Sequence, residues 1–221
     1  MAESDQTRWM AVLFDFDGTL GDSIDLIISS VRATAAELPD YTFDEAAIRP
    51  WIGRPFTAML AKQGVTDHDQ WMTVYRRHYR KAHNEMLRPI EGISGLLERL
   101  ADAGVRIGVV SSKKTDYIDL GLDRLGLGSW VDVLVGADDT ERHKPGPEPL
   151  LYAAGLLDTK PSRCVYVGDA VTDVVAGRAA GMATIAVTWG AATVRDLAEA
   201  GPTAVVSSVA ELAEQLLIDA R

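Results

Sequence analysis

Residues 12–20 read Val12-Leu13-Phe14-Asp15-Phe16-Asp17-Gly18-Thr19-Leu20, an apolar run that leads directly into two carboxylates. The apolar part is typical of a strand buried on both faces, as in a parallel sheet. In an open parallel sheet, ligands bind beyond the carboxyl ends of the strands, which is where Asp15 and Asp17 fall. Side chains two apart on an extended chain point to the same side. We therefore expect both carboxylates to face one reacting centre.

Beyond residue 90, apolar runs alternate with amphipathic stretches, which predicts a parallel sheet with helices on both faces. Including the run before Asp15, the predicted strands are 9–14, 105–110, 131–135, 164–167, 184–187 and 204–206. The predicted helices of this part are 93–103, 115–125, 147–157, 171–180, 194–200 and 209–218. Between about residues 23 and 88 we find helical periodicity only. The predicted fold class is α/β, with a Rossmann-like core (1–21 and 90–221) and an inserted all-helical cap (22–89).

Three further motifs follow predicted strands and carry polar side chains. Ser111 and Ser112 come directly after the second strand, where a hydroxyl can donate to a phosphate oxygen. Lys144 lies before a proline-started helix, and an ammonium group there can neutralise a carboxylate and phosphoryl oxygens. Asp169 ends another strand and Asp173 follows one helical turn later; carboxylate oxygens are ligands that magnesium prefers. Each motif alone has a simpler interpretation, as a helix cap or a solvated lysine.

Together and in this order, the four motifs resemble those of the haloacid-dehalogenase-like superfamily, and the resemblance covers nearly the whole chain. It implies that Asp15 is the nucleophile and a magnesium ligand. It also implies that Asp17 is the general acid and base, and that it binds the metal through its backbone carbonyl. Asp169 is then a further ligand, with Asp173 nearby but outside the direct ligands. The implied cofactor is Mg²⁺.

The same resemblance implies how a phosphorylated substrate is held. Ser111 and Lys144 are then catalytic residues that bind the phosphoryl oxygens, and Thr19 and Ser112 belong to the substrate-binding residues. The sequence around Arg54 resembles the loop by which the family's helical cap faces the substrate. An arginine there can bind a carboxylate or a second phosphate in bidentate fashion. The alternative for Arg54 is an ordinary surface arginine.

Other polar and aromatic side chains are expected to lie outside the site. The basic residues of the range 76–81 are predicted to form a solvated helix face, and His143 is predicted to be an exposed loop residue. A stripe that includes Trp71, Tyr75 and Tyr79 recurs at helical spacing, which is typical of core packing.

Two positions narrow the reaction that the resemblance implies. Dehalogenases of this superfamily lack the second aspartate of the first motif, whereas Asp17 is present here. Mutases of the β-phosphoglucomutase type carry a histidine where this chain has Ile27, an alkyl side chain that cannot transfer a proton. The chain most resembles phosphoglycolate phosphatases and their relatives, including pyrophosphatases. We therefore expect magnesium-dependent hydrolysis of a small phosphorylated metabolite through an aspartyl-phosphate, with phosphoglycolate as one candidate. The alternatives are a pyrophosphatase, a mutase and a non-catalytic phosphate-binding protein.

Composition excludes several other classes of protein. The net charge of −10 argues against nucleic acid as a partner, and it means that a phosphorylated substrate requires a local cation site. The single cysteine, Cys164, rules out an internal disulfide framework and favours a reducing cytoplasm. We find no apolar run long enough to cross a bilayer, so we expect a cytoplasmic protein without a membrane partner. The sequence leaves both a monomer and a homodimer open.

Overall fold

The computed structural model describes residues 9–38, 48–54 and 56–217, which form a six-stranded sheet, a two-stranded ribbon and the helices around them. The strands are β1 Ala11–Phe14, β2 Gly21–Asp22, β3 Arg88–Pro89, β4 Arg106–Val110, β5 Val133–Val135, β6 Cys164–Gly168, β7 Ala183–Val187 and β8 Ala204–Val206. The large sheet has the order β5-β4-β1-β6-β7-β8, and all of its strands are parallel. The six predicted strands are confirmed, with their ends within two residues of the prediction.

Strand β1 lies at the centre of the sheet because its four residues are apolar on both faces. All four are completely buried, and Val12 lies opposite Ile107 of β4 and Val165 of β6. After β1, the chain adds β4 and β5 on one side of it and then returns to add β6, β7 and β8 on the other side. Strand order therefore reverses at β1, and ligands bind at such a switch point in open α/β sheets.

The helices cover both faces of the sheet, as predicted. They are α1 Ile24–Glu37, α2 Phe56–Lys62, α3 His68–Met86, α4 Ile93–Asp102, α5 Thr115–Leu125, α6 Glu148–Leu156, α7 Val171–Ala179, α8 Val194–Glu199 and α9 Val209–Leu216. Val12 and Phe14 of β1 pack into one apolar cluster with α4, α5 and α9. Ala11 and Leu13 point the other way, into a second cluster with α6 and α7. The last predicted helix, 209–218, ends at 216, and residue 218 lies outside the described residues.

Helices α1, α2 and α3 belong to an insertion between the two strands of the ribbon, of which residues 24–38, 48–54 and 56–86 are described. Strands β2 and β3 pair antiparallel, with Gly21 opposite Pro89 and Asp22 opposite Arg88. The chain therefore leaves the core and returns to it at one place, and the division into core (1–21 and 90–221) and cap (22–89) stays a prediction. The ribbon was not predicted, because two-residue strands carry no periodic pattern. Among the described helices, none combines the length and the hydropathy that a bilayer span requires.

Candidate active site

The parallel sheet brings three of the four motifs to one edge. Asp15 follows β1, Ser111 follows β4 and Asp169 follows β6, and these strands are neighbours in the sheet. The amide of Asp15 donates to the carbonyl of Val167 at 2.9 Å, so the ladder of the sheet extends to the aspartate itself. All three polar side chains are buried. Burial of this kind is rare for aspartate unless the carboxylate is paired or binds a metal.

Lys144 lies beneath these carboxylates and is buried with them. Its Nζ is 3.1 Å from Oδ1 of Asp15, 2.7 Å from Oδ1 of Asp173 and 2.8 Å from the hydroxyl of Tyr166. Burial lowers the pKa of Lys144, but the carboxylates of Asp15 and Asp173 outweigh burial and raise that pKa above its ordinary value. The ammonium group therefore stays charged and holds a fixed positive charge beside Asp15.

The buried carboxyl group of Asp15 is in surroundings that favour binding of a metal ion or an electrophilic phosphorus atom. Burial raises the pKa of its carboxyl to about 6, with Lys144 opposing the rise and Asp173 adding to it. The aligned hydrogen bonds of Lys144 go to Asp173 and Tyr166, and its 3.1 Å contact with Oδ1 of Asp15 is an ion pair without hydrogen-bond alignment. The charge of this oxygen is therefore offset by Lys144, but the oxygen keeps lone pairs for a metal ion or an electrophile.

The donor set around Asp15 fits a hard divalent cation. Asp15, Asp169 and Asp173 each place one carboxylate oxygen within 4.8 Å of the others. Burial and the charges of Asp173 and Asp15 raise the pKa of Asp169 well above its ordinary value. A cation among these oxygens removes that repulsion, and oxygen ligands suit magnesium. Asp173 also pairs with Lys144 and accepts from the amide of Ala170 at 2.9 Å. Its place outside the direct ligands stays a prediction, as does the Asp17 carbonyl ligand.

Thr19, predicted to bind substrate, contacts the carboxylate of Asp169 and does not line the cavity that lies next to Asp15. Its side chain is completely buried, and its hydroxyl donates to Oδ1 of Asp169 at 3.1 Å. The amide of Ala191 donates to Oδ2 of Asp169 at 2.6 Å, and the indole of Trp189 donates to the Thr19 carbonyl at 3.3 Å. Gly18 completes this arrangement with a φ of +79°, where a Cβ would lie 2.5 Å from Oδ2 of Asp169. These contacts orient Asp169.

The carboxylate of Asp17 is oriented by a lysine that the sequence did not reveal. Oδ1 of Asp17 accepts from the hydroxyl of Ser23 at 2.6 Å and from Nζ of Lys113 at 2.5 Å. Lys113 also donates to the hydroxyl of Tyr79 at 2.7 Å. Burial lowers the pKa of Lys113, but the Asp17 carboxylate and Tyr79 raise it overall above its ordinary value. Lys113 directly follows a predicted site motif, whereas nothing in the sequence connects Tyr79 to Asp17.

A cavity of about 280 Å³ separates these carboxylates from the helical insertion. Five of the predicted site residues line it, and four lie behind them. The lining residues are Asp15, Asp17, Arg54, Ser111 and Ser112. The residues behind are Thr19, Lys144, Asp169 and Asp173. The predicted set therefore divides into groups that a ligand in the cavity can contact and groups that hold those contacts in place.

The loop of the insertion is docked on the core through the carbonyl of Gly53. This oxygen accepts from the hydroxyl of Ser112 at 3.1 Å and from the hydroxyl of Thr172 at 3.2 Å. A Cβ on Gly53 would lie 2.9 Å from Cβ of Ala170, and the φ of +87° also favours glycine. The Ser112 hydroxyl, predicted to bind substrate, is thus engaged by the insertion in this conformation.

Among the described residues, six lysine, arginine and histidine residues line the cavity, and three of them were the subject of a sequence prediction. Arg54 is exposed and lies 5.2 Å above the ring of Trp51, at the insertion side of the cavity. His143 is half-buried and lines the cavity, so the expectation of an exposed loop histidine is wrong. Arg76 is also half-buried there because it shares the inner face of α3 with Tyr79. The prediction of a solvated basic face holds for the exposed Arg77 and Arg80.

A family described as haloacid dehalogenase-like hydrolase matches residues 12–187, from β1 to the end of β7. The chain belongs to this family of hydrolases. Pyrophosphatase PpaX of Bacillus velezensis is 35% identical over 182 residues, which cover 82% of this chain and 84% of that protein. Pyrophosphatase PpaX of Bacillus mycoides is 35% identical over 178 residues, 80% of this chain and 83% of that protein.

The solved structures agree with the fold of this hydrolase. The crystal structure of a predicted phosphatase from Clostridium acetobutylicum superposes with a TM-score of 0.84 at 27% sequence identity. The match covers 95% of this chain and 98% of that one. The predicted superfamily, the α/β fold class and the assignment as an enzyme of the phosphatase type are confirmed by these findings.

Proposed function

We propose that this hydrolase is a magnesium-dependent phosphatase that cleaves a small phosphorylated metabolite through an aspartyl-phosphate on Asp15. The observation that supports this most is the buried carboxylate of Asp15, which is held by the ammonium group of Lys144, has no aligned hydrogen-bond donor at Oδ1 among the described residues and belongs to a residue that lines the cavity beside Asp17. A carboxylate oxygen with a free lone pair, next to a second carboxyl group, is the arrangement that covalent catalysis with acid–base assistance requires.

In the first step, a carboxylate oxygen of Asp15 attacks phosphorus while the bond from phosphorus to the leaving oxygen breaks. Lys144 holds positive charge 3.1 Å from Oδ1 of the nucleophile, and from behind the cavity it offsets negative charge as the phosphoryl group is transferred. Ser111 lines the same part of the cavity and can donate its hydroxyl to one of those oxygens. Magnesium held by Asp15, Asp169 and the Asp17 carbonyl would supply the remaining positive charge that neutralises the transferring group.

Asp17 completes both steps as acid and base. It gives a proton to the leaving oxygen, and then takes one from the water that attacks the phosphorus of the aspartyl-phosphate. Ser23 and Lys113 both bind its Oδ1. The other carboxylate oxygen is therefore the one that is left to exchange the proton with substrate and water. The closed loop at Gly53 limits access of bulk water to the cavity while the phosphoryl group is on Asp15.

Pyrophosphatase activity is the second candidate. It is favoured by the two PpaX relatives, which are pyrophosphatases by name and are 35% identical over four fifths of this chain. Arg54 is exposed at the insertion side of the cavity, where a guanidinium can pair with an anionic group that extends towards solvent, as one end of phosphoglycolate or pyrophosphate would have to do. Ile27 lines the cavity with an alkyl side chain where the mutases have histidine, so no side-chain contact favours the mutase alternative.

The test is release of inorganic phosphate from 2-phosphoglycolate, pyrophosphate, sugar phosphates and phosphoserine. Each is measured with magnesium, with chelator and with the Asp15→Asn variant. The matched control is Asp119→Asn, which changes an exposed carboxylate on α5. We expect turnover that needs magnesium and Asp15 but not Asp119. Turnover that survives Asp15→Asn would refute the mechanism, as would no release from any compound by folded, magnesium-loaded protein.

A further inference from the structure

One wall of the cavity is a continuous row of aromatic rings from the insertion and the core. The centroids of Phe56 and Tyr75 are 4.7 Å apart, those of Tyr75 and Tyr79 are 5.9 Å apart, and those of Tyr79 and Tyr117 are 5.5 Å apart. All four side chains line the cavity. Tyr75, Tyr79 and Tyr117 are each at most 7% exposed, so the ring surface on which another ring can stack comes mainly from the half-buried Phe56. We call this set, Phe56, Tyr75, Tyr79 and Tyr117, the aromatic wall.

The aromatic wall begins close to Asp17, the proposed proton donor to the leaving group. The Tyr79 hydroxyl accepts a hydrogen bond from Lys113, and Lys113 donates to Asp17. If Asp17 protonates the leaving oxygen, the carbon atoms next to that oxygen lie beside the wall. Other lining side chains on the insertion extend the same apolar surface, namely Ile27, Trp51, Ile52 and Met72.

The charges around the leaving group argue against a second phosphate in this position. Lys113 is already paired with Asp17, and Lys144 with Asp15 and Asp173. The other described lysine and arginine side chains that line the cavity are Arg54, Arg76 and Lys114. All three are exposed or half-exposed, so they border its open side. A phosphate leaving group pressed against the wall would lose water without gaining an unpaired buried cation, which is costly.

We propose that the preferred substrate is a phosphate monoester of an alcohol with a flat, ring-bearing body. This rests on the proposed function and names its substrate class. The ester P–O bond breaks as Asp15 bonds to phosphorus, and Asp17 protonates the alcohol; water then releases phosphate and returns the proton to Asp17. The net reaction is ester plus water to alcohol plus phosphate. An apolar cavity of about 150 Å³ holds benzene, so about 280 Å³ admits a phosphoryl group and a ring.

The first experiment separates binding from catalysis. The magnesium-loaded protein is titrated by calorimetry with benzylphosphonate and with 2-methoxyethylphosphonate, which cannot be hydrolysed at the P–C bond. The aromatic wall predicts about tenfold tighter binding of the benzyl compound. Equal or weaker binding of the benzyl compound would overturn the proposal.

The second experiment measures kcat/KM for benzyl phosphate, 2-methoxyethyl phosphate and pyrophosphate. The two alcohols have similar acidity, so the comparison reports contacts and not leaving-group reactivity. We expect benzyl phosphate to be preferred about tenfold over each of the others. A pyrophosphate preference, or equal rates for the two esters, would overturn the ring preference and leave hydrolysis intact. No turnover of any compound, with benzylphosphonate still preferred in binding, would overturn the hydrolase mechanism while supporting the cavity assignment.

Variants of Phe56 connect the preference to the aromatic wall. Phe56 is half-buried and lies at the start of α2, where truncation leaves the sheet untouched. Phe56→Ala and the larger Phe56→Leu are both expected to reduce the ratio of benzyl to methoxyethyl turnover several-fold. Phe56→Leu keeps an apolar side chain, so it tests the ring if the alanine variant folds poorly. Tyr152→Ala removes an exposed aromatic ring on α6 and serves as the control. An unchanged ratio in both Phe56 variants would count against the wall.

Discussion

Replacing Asp15 by asparagine should stabilise this protein when magnesium is removed. Burial, opposed by Lys144 and reinforced by Asp173, raises the pKa of Asp15 from 3.8 to about 6. That difference corresponds to about 3 kcal/mol by which the ionised carboxylate disfavours the folded state at pH 7. The side chain is 1% exposed, so solvent screens little of it. Asparagine has the shape of the neutral carboxyl group, and Lys144 keeps its bonds to Asp173 and Tyr166.

The sign of the pH dependence follows from proton binding. Between pH 4 and 6 the folded protein binds more protons at Asp15 than the unfolded chain does, so this group's contribution to stability falls as pH rises. The gain from Asp15→Asn is therefore about 3 kcal/mol at pH 7 and close to zero below pH 4. Saturating magnesium should reverse the order of the two proteins, because a ligand of the folded state stabilises it and the variant lacks one donor.

The assay is urea unfolding in chelator at pH 7 and pH 4, repeated at pH 7 with magnesium. Asp119→Asn, an exposed change on α5, controls for loss of a negative charge from the whole molecule. If Asp15→Asn is no more stable than the wild type at pH 7 in chelator, burial of the ionised Asp15 carboxylate does not destabilise the folded state. If magnesium stabilises the variant as much as the wild type, Asp15 is not a ligand.

Three further substitutions test contacts around the site. Lys113→Met should lower kcat by about a hundredfold, since Asp17 loses the ammonium group that orients it; steady-state kinetics on folded protein measure this. Gly18→Ala should destabilise the fold by at least about 1–2 kcal/mol in urea unfolding, because alanine is strained at a φ of +79° and its Cβ would also clash with Oδ2 of Asp169. Ser112→Ala should raise KM about fivefold with kcat little changed, because the Gly53 carbonyl loses one of two donors.

Each of these predictions has a result that would contradict it. Unchanged kcat in Lys113→Met would mean that Asp17 needs no lysine to hold it. A Gly18→Ala variant as stable as the wild type would mean that the loop relaxes freely. Thr172→Ala removes the other donor to Gly53 and should match Ser112→Ala in its effect on KM. A much larger effect of Ser112→Ala than of Thr172→Ala would mean that the Ser112 hydroxyl contacts substrate directly.

The part of the site that was predictable is the part that the sheet assembles. Asp15, Ser111 and Asp169 each follow an apolar run, and neighbouring parallel strands must deliver their ends to one edge. The strands themselves were predictable because β-branched and apolar residues recur without polar interruption where both faces are buried. In these regions, local pattern and global topology agree.

The part that was not predictable depends on how the insertion folds over the core. Tyr79 is 62 residues from Asp17 along the chain, and its helical spacing with Trp71 and Tyr75 is the spacing of a core stripe. Tyr79 is both a core residue and part of the site, because its ring is buried while its hydroxyl accepts a hydrogen bond from Lys113. His143 was misjudged for the same reason: exposure of a loop side chain depends on what lies opposite it.

The ribbon of β2 and β3 has a consequence for how this architecture can change over time. Because Gly21 and Pro89 are paired neighbours, the two connections to the insertion occupy almost the same point in space. A segment of different length or shape between them need not displace any strand of the large sheet. Recombination could therefore exchange the whole insertion as a block while the phosphoryl-transfer edge is inherited intact. A newly acquired insertion would still have to supply a hydroxyl group where Tyr79 now accepts from Lys113. The ribbon therefore sets few limits on the size of the insertion, whereas the contact with Lys113 limits its side chains.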